Sequence, residues 1–244
     1  MIKLENVTKK YGSFVAVDNV SLSIPSGGIF AFLGVNGAGK TTTIRMITGI
    51  LRPTSGSISV GGFDLAQSPL QAKSLVGYVP DRPHLYPKLT GREFLYFVCD
   101  LYRMDQRAAE RRIDETLEEY SLKQWQDELI EGYSHGMKQR LATCAAIVHN
   151  PQVLIVDEPM VGLDPHGAKH LKESLKQYAS QGLTIFLSTH SLNVAEELAD
   201  HLAIIHRGSL LTVGTLDDIR ALTGKQDEDL EHMFLELTAA SREH

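Results

Sequence analysis

Eight consecutive residues, Gly34-Val35-Asn36-Gly37-Ala38-Gly39-Lys40-Thr41, fit the spacing G-x-x-x-x-G-K-[ST], the P-loop pattern that holds polyphosphate. Glycines let the backbone come close to phosphate oxygens, successive N–H groups form an anion nest, and the helix start that follows adds positive potential. In that setting Lys40 reaches the β- and γ-phosphates and Thr41 offers its hydroxyl to Mg²⁺. Far along the chain, Asp157 and Glu158 follow the apolar run Val153-Leu154-Ile155-Val156. Two acids at the carboxyl end of a buried strand stand where open α/β sheets bind ligands. Nucleotide hydrolysis needs one acid to hold Mg²⁺ and one group to position or deprotonate water, and Asp157 with Glu158 supplies both. A second apolar strand ends in Ser188-Thr189-His190, putting a histidine at the same rim, where it could hydrogen-bond a γ-phosphate. Taken alone, His190 is equally a structural residue beside a Ser191 helix cap. Ser134 and Gly136 open another helix, whose N-terminus attracts anions; taken alone, Ser134 is an ordinary N-cap.

These residues need a particular scaffold. Ile29-Phe30-Ala31-Phe32-Leu33 reads as a buried strand before the glycine loop, and 39–50 carries apolar residues at helical spacing after it. Short strands around turn signals, Ile2 to Val7, Ser21 to Ile24 and Ser57 to Val60, suggest a small antiparallel sheet beside the loop. From Thr90 to about His149 the pattern is almost wholly helical, an insertion that splits the core. Strands 153–156 and 184–187, each followed by a helical pattern, imply a parallel sheet.

Composition narrows the functions available. The chain has 244 residues, 43% hydrophobic and 22% charged, enough for one large domain with a sizeable core. Its net charge of −6 argues against a general binder of phosphate backbones, so no nucleic-acid partner is expected. Cys99 and Cys144 form no C-x-x-C pair and read as buried free thiols, which fits a reducing cytoplasm. The first residues lack a signal-peptide core, and no apolar run approaches the ~20 residues needed to span a bilayer. Membrane work would need a separate partner.

Together the motifs resemble the ATP-binding cassette (ABC) family over nearly the whole chain. On that resemblance Gly34 to Thr41 is Walker A, with Thr42 joining the nucleotide contacts, and Val153 to Glu158 is Walker B with its catalytic glutamate. Tyr133-Ser134-His135-Gly136-Met137 aligns with the signature, Gly162-Leu163-Asp164 with the D-loop and His190 with the switch histidine. Tyr11 falls where the family stacks an aromatic ring on adenine, although it is also a plain strand-edge tyrosine. Asp81, in Gly77-Tyr78-Val79-Pro80-Asp81, stands where glutamine is usual; a carboxylate there can ligate Mg²⁺ directly or through water, and Arg82 beside it could offset its charge. His135 and Met137 depart from the usual signature, and Met160-Val161 from the usual polar pair.

The resemblance implies a P-loop NTPase of the α/β class: a mainly parallel core sheet, an antiparallel β subdomain and an inserted helical subdomain. It divides one ATP-binding domain into a core of 1–86 and 150–222, a helical signature subdomain of 87–149 and an acidic tail of 223–244. It further implies ATP and Mg²⁺ as cofactors and a head-to-tail homodimer or paired ABC subunit. Separately encoded membrane subunits would dock on the helical insertion and Asp81 loop, with this chain peripheral on the cytoplasmic face. Segments 214–218 and 229–238, with Tyr133 to Arg140, look most like the ABC-2-type and drug-resistance exporters; the tail is alternatively an amphipathic helix covering core. A rival is a soluble ABC ATPase of DNA maintenance, translation or cluster assembly. A single cassette with no long coiled coil and no basic patch weighs against the first two. A P-loop GTPase or kinase lacks support, since no N-K-x-D is present.

Overall fold

The computed structural model describes residues 1–160, 163, 165–223 and 230–240. In chain order the strands and helices are β1 (Ile2–Tyr11), β2 (Phe14–Ile24), β3 (Gly28–Leu33), α1 (Lys40–Ile47), β4 (Ser55–Val60), β5 (Phe63–Asp64), α2 (Pro69–Ser74) and β6 (Val76–Val79). There follow α3 (Gly91–Leu101), α4 (Gln106–Glu119), α5 (His135–Ile147), β7 (Val153–Asp157), α6 (Pro165–Ser180) and β8 (Thr184–Thr189). The chain continues through α7 (Leu192–Leu198), β9 (His201–His206), β10 (Ser209–Gly214), α8 (Leu216–Thr223) and α9 (Leu230–Ala240).

Two sheets result. One has the order β2-β1-β4-β5, with antiparallel pairs throughout; the other has the order β10-β9-β3-β8-β7-β6. In the second sheet β9, β3, β8, β7 and β6 run parallel and only β10 is antiparallel. The parallel strands carry uninterrupted apolar runs because both faces are covered: β7 and β8 are buried at every residue. Parallel pairing also aligns strand ends, so Leu33 lies beside Thr189 and Asp157 beside Ser188. The glycine loop, the two acids and His190 therefore leave the sheet at one rim.

The sequence reading and the structure differ at three places. β2 begins at Phe14, so the turn at Gly12 and Ser13 closes a long hairpin rather than separating short strands. The segment 120–134, read as helical, holds only two short 3₁₀ turns, Lys123–Trp125 and Ile130–Gly132, between α4 and α5. The loop helix ends earlier than the spacing suggested, at Ile47, and Gly49 follows with φ of 66°, the left-handed turn at which helices commonly stop.

In the tail, α9 buries Leu230, Met233 and Phe234 against Ala31, Leu33, Leu202 and Ile204, so it covers one face of the parallel sheet. The rest of the expected tail, 224–229 and 241–244, lies outside the described residues.

Candidate active site

The glycine loop leaves β3 and must approach its neighbours closely. A Cβ on Gly34 would stand 2.5 Å from the Ile205 carbonyl oxygen, and Gly39 has φ of 110° with the Ala16 carbonyl 2.7 Å from any added Cβ. Larger residues fit neither position. Gly39 caps α1 without a side-chain hydrogen bond, so the first N–H groups of α1 receive no side-chain acceptor at the cap. Ala38 is buried while Val35, Asn36 and Gly37 are exposed along the outer arc, and Thr42 is half-buried on the first turn.

Lys40 folds back into this loop. Its side chain is 6% exposed, and Nζ donates to the Gly34 carbonyl at 2.7 Å and the Val35 carbonyl at 3.4 Å. The same Nζ is 3.1 Å from Glu158 Oε1, an ion-pair contact without hydrogen-bond alignment. Glu158 Oε2 is 2.8 Å from His190 Nδ1 and receives the His190 backbone N–H at 3.4 Å. Glu158 itself has φ of 49°, a left-handed conformation uncommon for a long side chain. It is held there by its N–H, which reaches Ser188 O at 3.1 Å and Ser188 Oγ at 3.2 Å.

Asp157 is fully buried at the end of β7. Its Oδ1 accepts from the Ser188 hydroxyl, and Thr41 also hydrogen-bonds its side chain, whereas Oδ2 has no hydrogen-bond partner among the described residues. Burial raises the Asp157 pKa above the ordinary carboxylate value; the bonds from Ser188 and Thr41 oppose that rise, and the charges of Asp81 and Glu158 add to it. A buried carboxylate with an open oxygen beside a threonine hydroxyl is a hard-oxygen site suited to Mg²⁺, which takes few protein ligands and completes its shell with phosphate and water. Ser188 anchors both acids, a role that was not read from sequence. Its signal was a hydroxyl following the apolar run Ile185-Phe186-Leu187, in register with Asp157.

The other expected residues lie apart from this network. Asp81 is exposed, and its Oδ1 accepts the Arg82 backbone N–H at 2.8 Å; among the described residues it makes no ion pair with the Arg82 guanidinium. Tyr11 is 47% exposed at the hairpin tip, with Lys9 Nζ 5.4 Å from its ring centroid. Ser134 caps α5 by accepting the Met137 N–H at 3.2 Å. Ser134 and Gly136 line a cleft of about 590 Å³ with Gln139, Leu163 and His170. Gly162, Asp164 and Val161 lie outside the described residues.

This arrangement can bind a polyphosphate at α1 and activate water at Glu158. The sequence model described as ABC transporter matches residues 17–161. The chain belongs to the ABC transporter family. The linearmycin resistance ATP-binding protein LnrL of Bacillus subtilis (strain 168) is 39% identical over 92% of this chain and 72% of its own. Among solved structures, an ATP-binding subunit of an ABC transporter superposes with a TM-score of 0.92 at 34% identity, covering 98% of this chain and 99% of that one. The ATP-binding cassette MJ0796, in a dimeric post-hydrolysis state bound to ADP and Pi, gives a TM-score of 0.80 at 26% identity over 88% of this chain and 99% of that one. This ABC protein is thus an ATP-binding, ATP-hydrolysing subunit with the expected α/β cassette fold. Among its described residues no helix is long and apolar enough to cross a membrane.

Proposed function

We propose that this cassette powers an exporter, as a subunit docked on the cytoplasmic face of separately encoded membrane proteins, and that two cassettes sandwich ATP head to tail. The observation that carries the reading is the division of its motifs. Lys40, Thr41, Asp157, Glu158 and His190 are joined at one rim, whereas the Ser134 hydroxyl bonds only within its own helix turn among the described residues. A signature helix that does not reach its own loop suits the loop of a second cassette.

In this reading the loop N–H groups and Lys40 hold the β- and γ-phosphates, while Ser134 and the N–H groups near Gly136 of the paired cassette approach the γ-phosphate from the far side. Glu158 accepts a proton from the attacking water, and His190 orients that carboxylate through Nδ1. Thr41 and Asp157, with Asp81 at the edge, would hold Mg²⁺, which supplies charge neutralisation across the phosphates. Tyr11, on the hairpin tip, presents a ring for adenine. Nucleotide held between two cassettes favours the closed pair, and cleavage removes that preference.

Exposed aromatic side chains support docking on the helical insertion and the Asp81 loop. Tyr86 and Phe97 are 54% and 40% exposed, and their rings meet edge to face at 5.5 Å. Both lie in the chain after Asp81, and exposed apolar clusters of this kind mark interaction sites. The export reading is supported by the resistance function in the name of LnrL and by the likeness of segments 214–218 and 229–238 to drug-resistance exporters.

The test is recovery of the tagged chain from its own membranes. Copurification of a multi-span membrane protein, lost when Tyr86 and Phe97 are both changed to serine, is the expected result. Recovery only with soluble proteins would favour a non-transport ATPase.

A further inference from the structure

A lysine ammonium has three N–H donors and no acceptor, and Lys40 already faces three oxygens. These are the Gly34 carbonyl at 2.7 Å, the Val35 carbonyl at 3.4 Å and Glu158 Oε1 at 3.1 Å. The two charged side chains are only 6% and 16% exposed, so solvent and salt screen their attraction less than at an open surface. The other Glu158 oxygen faces His190 Nδ1 at 2.8 Å. Both oxygens that a general base would offer to water are therefore turned toward cationic or hydrogen-bonding neighbours.

The backbone contributes to this arrangement. The Glu158 N–H is fixed by Ser188 through both the carbonyl and the hydroxyl, and these bonds hold the backbone in its disfavoured φ of 49°. Any release of the carboxylate falls to side-chain rotation.

We propose that Lys40 and Glu158 form a latch: the base is held idle against the loop lysine, and a nucleotide phosphate that takes Lys40 releases it. Water activation is thereby tied to occupancy of the phosphate site. The idea rests on the reading of Lys40 as a phosphate ligand and goes beyond it, because it makes the ion pair a competitor of the nucleotide. Binding of any nucleotide that reaches Lys40 must first break the contact, so the latch lowers affinity even for a product that cannot be cleaved.

ADP binding to the isolated chain, measured by fluorescence titration at fixed Mg²⁺, tests this without hydrolysis. Two variants separate contact from charge. Glu158→Gln removes the charge. Glu158→Asp keeps it but shortens the side chain by one carbon–carbon bond, about 1.5 Å, which takes the carboxylate out of reach of Lys40; aspartate also tolerates a left-handed φ, so the substitution adds no backbone strain. The latch predicts that both variants bind ADP about 3- to 10-fold more tightly than wild type. Tightening in Glu158→Gln alone would mean that the local field matters and the contact does not, which overturns the latch, as would no change in either. Lys40→Ala in the same titration checks the underlying reading. If it binds ADP like wild type, Lys40 is no phosphate ligand and both ideas fall; if it loses ADP while both Glu158 variants match wild type, only the latch is lost.

Discussion

Two helix N-termini of this chain were read as phosphate-facing, and they are built differently. α1 starts at Gly39 with φ of 110° and no side-chain cap, backed by a network that joins buried Lys40, Asp157 and Ser188 with half-buried Glu158 and exposed His190. α5 starts at Ser134, whose Oγ already accepts the Met137 N–H, and both Ser134 and His135 are exposed. An uncapped helix start leaves several orphan N–H donors for an anion, whereas a capped one has satisfied part of that demand itself. The first end is thus a site assembled by its own chain. The second is stable alone, and what it still offers is the remaining first-turn N–H groups near Gly136 and the Ser134 O–H, which can donate while Oγ accepts.

The largest expected effect falls on the assembled end. Glu158→Gln keeps the shape and removes the base, and general-base groups contribute about 10²- to 10⁴-fold; turnover in the coupled complex should fall by that range while ATP binding persists. Unchanged turnover would move the base elsewhere. Lys40→Ala should weaken ATP binding by on the order of 10²-fold, the usual cost of truncating one partner of a buried charge contact. Undiminished affinity in an equilibrium titration would erase the contrast between the two helix starts.

The far end of α5 sharpens the contrast differently. There His149 stacks on Tyr102 with ring centroids 3.6 Å apart, and its Nε2 lies 3.2 Å from the Val76 carbonyl, tying the signature helix to β6. Burial, first, and the nearby Arg112 charge lower its pKa to about 4, against the weaker upward pull of the Val76 bond. The unfolded chain then binds a proton that the folded chain refuses, so stability is complete above pH 6.5 and falls as pH drops toward 4. The loss should be of order 2 kcal/mol. Urea unfolding at pH 7 and pH 4.5 measures it, and His149→Phe, which preserves the stacking surface, should flatten that part of the slope. An identical slope in the variant would mean that His149 does not set it.

How far the sequence foretold these ends follows from how local their causes are. Gly34 to Thr41 sits in one stretch between a buried strand and a helix, so its placement could be read from eight residues. The shared rim of Asp157, Glu158 and His190 could also be read, because a parallel sheet aligns strand ends. What could not be read was the partnering among side chains far apart in the chain. Ser188 bonds Asp157 and Glu158 across 31 and 30 positions, and only strand register brings them together. The loop between α4 and α5 was misread for a related reason. Buried apolar residues such as Leu122, Ile130 and Tyr133 mimic helical spacing, yet they reach the core from coil and 3₁₀ turns.

The smallest expected effect concerns Ser134 and decides most directly whether the second helix end faces another cassette. Ser134→Ala loses the cap, which costs about 1 kcal/mol, and any loss of turnover in that variant mixes a weakened helix with a missing hydroxyl. Ser134→Asp separates them. Aspartate caps as well as serine and suits the positive end of the helix, so the melting temperature should match or exceed that of wild type. Because the Ser134 hydroxyl bonds only within its own turn among the described residues, ATP affinity of the isolated chain should also stay unchanged. A carboxylate set opposite a γ-phosphate, however, is repelled by it, so dimerisation on ATP and turnover of the assembled transporter should both fall. If Ser134→Asp melts like wild type and still dimerises and turns over normally, no phosphate meets this helix start, and the exposed serine is a cap and nothing more.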